Sequence, residues 1–237
     1  MTEIIEKPEA AQAAQAPSRA ELAEQRAREA GQALLAKLQA QGEASLLNRA
    51  ASRNGGIHNE LGEPTVGPYV AFDVIMTSPW QFSGMPPYQP GKVIANGEYA
   101  YIFVYTWVNP TVDVPDGFAV PASVQLSGRT WRLTLDLLDV TTGTTQTISQ
   151  TGIVQSGSSV QPGVGFAYFQ VPTPDPGPDP AVMEANVTLD IVDPGQPYAA
   201  FATEFYDYDA DPGFVFVPSA GPGWRHDQPN RYIVYSK

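Results

Sequence analysis

Glu98-Tyr99-Ala100-Tyr101-Ile102-Phe103-Val104-Tyr105-Thr106-Trp107-Val108 carries an aromatic ring at every odd position from 99 to 107. The even positions from 100 onward are Ala, Ile, Val, Thr and Val. Successive residues of a strand point to opposite faces, so this strand has an aromatic face and an aliphatic face. A strand with one face in water would alternate apolar with polar residues instead. Both faces here call for cover. The aliphatic stripe fits an ordinary core, whereas five large rings on one strand would overfill the ~10 Å between two packed sheets. The aromatic face is therefore expected either to pack in the sandwich interior, where Ala199, Ala200 and Ala202 could face the rings, or to meet an external cover, the chain's own N-terminal segment or a partner protein. Tyr99, Tyr101, Phe103, Tyr105 and Trp107 are the candidate partner-binding residues on the strand.

Working outward, the period-two pattern recurs. Val70, Phe72, Val74 and Met76 alternate before the long loop from Ser78 to Pro90. Lys92–Ala95 and the turn Asn96-Gly97 lead into the aromatic strand, since Asn-Gly suits the positive φ of a hairpin turn. Trp131, Leu133, Leu135 and Leu137 oppose Arg132, Thr134 and Asp136, and Thr142-Gly143 turns into Thr145–Gln150. Phe166–Val171 is apolar on both faces apart from Gln170. Met183–Ile191 alternates with Glu184, Asn186, Thr188 and Asp190. Tyr198–Tyr208, Phe214–Val217 and Arg231–Tyr235 bring the strands to about nine or ten. No helical period follows residue 60. The expected fold class is all-β, an antiparallel β-sandwich of immunoglobulin-like or jelly-roll type, preceded by an N-terminal helical arm.

The N-terminal quarter reads differently. Residues 1–17 are rich in Ala, Gln, Glu and Pro and read as a disordered leader. Ser18-Arg19-Ala20-Glu21 fits a capping box. Ala23, Ala27, Ala30, Leu34 and Leu38 then recur at three- and four-residue steps, with Gly42 as the expected stop and Glu43–Ala51 as a second short piece. A stripe of methyl groups buries little, so this arm needs a partner surface to be stable, with Leu34 and Leu38 as its contacts. The domain plan is a leader at 1–17, an arm at 18–53, a linker at 54–67 and an acidic β-sandwich at 68–237.

Charge follows the same division. Residues 1–53 hold seven Glu and seven Lys or Arg, leaving 18 acidic and 6 basic residues in the remainder and the whole net charge of −12. Such a domain repels phosphate backbones, so nucleic acid is not an expected partner. There is no cysteine, which removes disulfides and thiol chemistry. The first residues lack a signal peptide, and no apolar run is long enough for a membrane span. The default location is cytoplasmic, or within a particle.

Chemistry-bearing constellations are few. Asp207, Asp209 and Asp211 alternate like the first ligands of a calcium loop, but Pro212 stands where such a loop turns on glycine and Pro218 where it places a bidentate Glu. Calcium is thus the one possible cofactor. His58 lies in the linker and His226 in the loop 221–230, beside Asp227, with no Gly-x-Ser-x-Gly elbow in the chain. The strand acids Asp136, Glu184, Asp190 and Glu204 offer no pair marked for glycoside hydrolysis. The chain reads as no enzyme. It reads as a structural or interaction protein, a subunit of a particle, filament or lattice that binds itself or another protein through its arm. The alternative is a carbohydrate-binding or calcium-dependent adhesion module.

Overall fold

In a computed structural model, the residues described are 17–54, 72–82, 88, 90–108, 128–153, 163–191, 198–206, 224–226 and 229–236. One helix, α1 (Arg19–Asn54), precedes twelve strands among these residues. They are β1 (Phe72–Met76), β2 (Trp80–Gln81), β3 (Val93–Ala95), β4 (Ala100–Val108), β5 (Thr130–Asp139) and β6 (Thr144–Ile153). β7 (Gly163–Val171), β8 (Ala181–Ile191), β9 (Tyr198–Phe201), β10 (Thr203–Tyr206), β11 (Trp224–His226) and β12 (Asn230–Tyr235) follow. The leader up to residue 16, the linker beyond Asn54 and the acidic run Asp207, Asp209 and Asp211 lie outside the described residues, as does the expected strand Phe214–Val217.

The strands form two six-stranded sheets. In sheet A the order is β11-β10-β1-β4, with β1 and β2 end to end along one side of β4 and β7 along the other. In sheet B the order is β3-β12-β8-β5-β6, with β9 beside β8 beyond the end of β12. The aliphatic residues Ala100, Ile102 and Val104 of β4 join Leu133, Leu135, Leu137, Val187 and Leu189 of sheet B in one buried cluster. The alternation along β5, β8 and β12 places their apolar residues in this core and their polar ones outside. Polar contacts tie the sheets together. Buried Asn230 donates through Nδ2 to the Thr77 carbonyl at 3.0 Å and accepts from Lys92 Nζ at 2.7 Å. At the β6 edge, Gln150 Nε2 donates to the Tyr168 carbonyl of β7 at 2.5 Å.

Four details depart from the sequence expectations. Two pairings are parallel, β1 with β10 and β12 with β3, so the sheets are mixed rather than purely antiparallel. Parallel neighbours need a long connection, and here strands from the two ends of the chain meet. The run from Tyr198 to Tyr208 is not one strand. β9 pairs with β8 of sheet B, and β10 pairs with β1 of sheet A; buried Ala202 lies at the crossing and donates its N–H to the Val187 carbonyl at 2.8 Å. His226 belongs to a short strand opposite Glu204 and not to a loop. The helix runs through Gly42 to Asn54 without the expected stop. A single interior glycine costs only about 1 kcal/mol relative to alanine, and the good helix formers on both sides outweigh it.

The start of α1 forms as its spacing predicts. Ser18 N–H donates to Glu21 Oε2 at 2.7 Å, and Glu21 N–H donates to Ser18 Oγ at 3.2 Å. These hydrogen bonds, the backbone one first, hold the Glu21 carboxyl below the usual carboxylate range. The negative charge sits at the positive end of the helix dipole.

Candidate functional site

The outer face of sheet A carries a cluster of aromatic residues. Tyr101, Phe103 and Tyr105 project from β4, Phe166 and Tyr168 from β7, and Trp80 and Phe82 from the β2 segment. β4 and β7 are in register over their full length, Phe103 opposite Tyr168 and Tyr105 opposite Phe166. The rings therefore form a continuous sheet-wide layer. Phe166 stacks on Tyr105 with centroids 5.4 Å apart, and Phe103 stacks on Trp80 at 5.2 Å. Edge-on contacts of Phe166 with Phe103 and of Tyr168 with Tyr101 complete the layer. Such offset and edge-to-face arrangements place the positive ring edge against a negative ring face.

α1 lies on this layer. Ala27 and Leu34 are buried in it, and Ala23, Ala30 and Leu35 pack at its margin. The small residues permit close approach, most clearly at Gly31. A methyl group built there would stand 2.0 Å from Phe166 Cζ, far inside contact distance. Tyr105 donates its hydroxyl hydrogen to the Gly31 carbonyl at 3.3 Å, so its polar tip is met by the helix backbone. Burial pushes the Tyr105 phenol well above its ordinary pKa.

A polar rim surrounds the contact. Arg19 pairs with Glu98 at 2.6 Å at one end of the seat. Arg28 Nε donates to the Tyr168 hydroxyl at 2.8 Å, that hydroxyl donates to Glu24 Oε1 at 2.9 Å, and Arg28 also pairs with Glu24 at 2.7 Å. Its hydrogen bonds from Arg28 and Tyr168 hold the Glu24 carboxyl below the usual range. Arg26 donates to the Phe82 carbonyl at 2.9 Å, with its guanidinium over the Tyr88 ring. Burial, with Glu24 and two neighbouring phenols behind it, pushes Tyr101 up to about 12.

The structure thus places Tyr101, Phe103, Tyr105 and Leu34 in one contact internal to the chain. Tyr99 is partly exposed beside it. The backbone of Trp107 pairs with Asp73 and Val164, and Leu38 lies on the helix, but the side chains of these two are outside the described residues. The strand acids stand elsewhere. Glu184 pairs with Arg231 and Asp190 with Arg132 on the outer face of sheet B, and Asp136 accepts from Thr147 there. Among the described residues no group of three or more His, Asp or Glu stands close enough to hold a metal ion. No described helix is long and apolar enough to cross a membrane.

No family model, curated protein or solved structure matches this chain. The site has to be read from its own residues. Phe166 and Tyr168 were absent from the sequence candidates, although Phe166-Ala167-Tyr168-Phe169 repeats the two-faced pattern of β4. Trp80, Phe82 and Gly31 carry no periodic signal, and only the packed helix gives them a role.

Proposed function

We propose that this chain is a non-catalytic structural protein, a β-sandwich subunit of a larger assembly, with α1 as its assembly arm. The observation that carries this reading is the length of the helix together with its seat: α1 has 36 residues, and Ala23, Ala27, Ala30, Leu34 and Leu35 pack on the outer face of sheet A. At 1.5 Å per residue the helix is about 54 Å long. The half nearest the N-terminus fastens the arm to its own body by small-residue packing and a polar rim. Leu38, Leu46 and Leu47, later in the same helix, are the residues expected to engage a neighbour. A long arm seated on its own body is suited to linking subunits, because its orientation is set before the partner arrives. The acids paired on sheet B fit the same non-catalytic reading, since each is engaged in an ion pair or a hydroxyl hydrogen bond.

The test is light scattering coupled to size exclusion on the full chain and on the Leu46→Lys/Leu47→Lys variant, which keeps helix propensity and removes the apolar contacts. Assembly in the wild type that is lost in the variant at unchanged melting temperature supports the arm. Equal masses for the two chains refute it. The adhesion-module alternative loses its platform, since Tyr101, Phe103 and Tyr105 are closed off by α1. A calcium titration followed by thermal melting addresses Asp207, Asp209 and Asp211 directly.

A further inference from the structure

Sheet B ends on a long bare edge. β6 pairs with β5 over Thr144–Ile153 in unbroken register, and among the described residues no strand pairs with its other side. Alternate N–H and C=O groups of β6 therefore point away from the sheet along ~33 Å of edge. Proteins blunt such edges by keeping them short, by covering them, or by placing charges or proline on them. The other described edges follow that rule. β2, β3, β9 and β11 run for only two to four residues. β7 has nine, but Gln150 takes its Tyr168 carbonyl, and α1 lies over its outer face through Arg28 and Gly31. β6 has none of these devices. It contains no charge and no proline, and no charged residue stands between Asp139 and Asp175. Thr145, Thr147, Ser149 and Thr151 are exposed along it, and Ile148 is left half-buried at the margin of the core.

A backbone edge specifies its own cover, because alternating donors and acceptors are met by another extended strand. We infer that β6 pairs antiparallel with β6 of a second copy about a two-fold axis, joining two B sheets into one. The edge is its own complement, since the axis offers each outward N–H the carbonyl it needs. Residues directly opposite share a face, so the axis passes through a residue and not between two. At Ile148 it sets the two half-buried isoleucines against each other and seals both. Thr145 then stands opposite Thr151 of the partner subunit, and Thr147 opposite Ser149 of the partner subunit. Hydroxyl pairs of this kind are favourable across strands. Charge permits the approach. A chain of net charge −12 repels its copies elsewhere, but β6 brings no charge to the contact. Arg132, Asp136 and Asp139 on β5 stand three strand spacings from their counterparts, ~14 Å, beyond the ~8 Å over which salt lets charges interact.

This pairing is independent of the helical arm, and the experiment separates the two. Sedimentation velocity from micromolar to submillimolar concentration is run on the full chain and on Leu46→Lys/Leu47→Lys. It is run also on Thr145→Lys/Thr151→Lys and Thr145→Glu/Thr151→Glu, which set like charges opposite one another at exposed positions. The expected result is a concentration-dependent dimer in the wild type and the helix variant, weakened roughly tenfold or more in each edge variant and recovered when the Lys and Glu variants are mixed. Amide hydrogen exchange across Thr144–Ile153 slows as the wild-type concentration rises. A wild type that stays monomeric throughout overturns the inference, as does a dimer indifferent to both edge variants. A dimer whose β6 amides exchange as fast as the monomer's overturns it too, and that measurement needs no variant to fold. Dissociation caused by the helix variant alone also overturns it, and leaves the arm as the assembly element.

Discussion

The two sheets are similar in size and share one core, yet their outer faces are finished in opposite ways. Sheet A turns Tyr101, Phe103, Tyr105, Phe166 and Tyr168 outward and lays a helix over them. Sheet B turns out Thr134, Asp136, Glu184, Asn186, Thr188 and Asp190 and leaves them half-buried or exposed, with one apolar row at its end. The difference shows where the helix contributes. Alone, a helix faced with Ala23, Ala27 and Ala30 is marginal, because methyl groups bury little. Against a layer of rings it needs no bulk of its own: the sheet supplies the apolar surface, and the helix supplies closeness of approach. Sheet B needs no such cover, because its outward residues are polar and locally paired.

The sharpest break in this comparison comes from truncating one residue on each face. Phe103 is fully buried between Trp80, Phe82 and Phe166, so Phe103→Ala is expected to cost about 3–5 kcal/mol in denaturant unfolding. Thr134→Ala on the bare face is expected to stay within about 0.5 kcal/mol. Near-equal losses at the two positions would mean that the helix does not seal sheet A.

Alkaline pH applies a related stress without mutation. Tyr101 has its phenol pKa raised from 10 to about 12 by burial beneath the helix, and Tyr105 and Tyr232 are pushed up by burial as well. A raised acid stabilises the folded state fully below its unfolded pKa, and that stability is lost as pH climbs through the folded value. Between pH 10 and about 12, Tyr101 alone is expected to remove about 2 kcal/mol. Tyrosinate absorbance and helical circular dichroism should therefore change together over this range. Ionisation of all the phenols with the helix signal intact would contradict the burial.

Much of this contrast is legible in the chain, because alternation is a local property. Tyr99 to Val108 announces two covered faces, Met183 to Ile191 announces one, and Ser18 with Glu21 marks where the helix begins. What lies over the aromatic face is settled by contacts between residues 27–34 and 101–168, which no local pattern encodes. Gly31 reads as a helix weakness until Phe166 is seen beneath it. Gly42 reads as a stop, yet the run of good helix formers around it carries through. The apolar row on sheet B is invisible for the same reason: Val93, Val140, Val182 and Ile233 are scattered over 140 residues and become neighbours only through strand register. The acidic run at Asp207, the other feature singled out by pattern, lies outside the described residues.

Gly31→Ala gives the smallest effect and the finest resolution, because two principles disagree about its sign. Helix propensity favours alanine over glycine by about 1 kcal/mol. Packing opposes it, since the new methyl would lie 2.0 to 2.9 Å from three atoms of the Phe166 ring. That ring has little room to yield, being stacked on Tyr105, edge-on to Phe103 and 6.0 Å from Tyr168. Overpacking of this kind costs about 1–3 kcal/mol, so a net loss of about 1 kcal/mol is expected from thermal or denaturant unfolding. The same substitution made in a Phe166→Ala background has no ring to meet. There the propensity gain stands alone, and Gly31→Ala should stabilise by up to about 1 kcal/mol. A change of sign between the two backgrounds places the helix against β7 by energetics as well as by geometry. If alanine stabilised the wild type, the helix would be seated less closely on sheet A than the rings and Gly31 require, and the contrast between the two faces would rest on the aromatic residues alone.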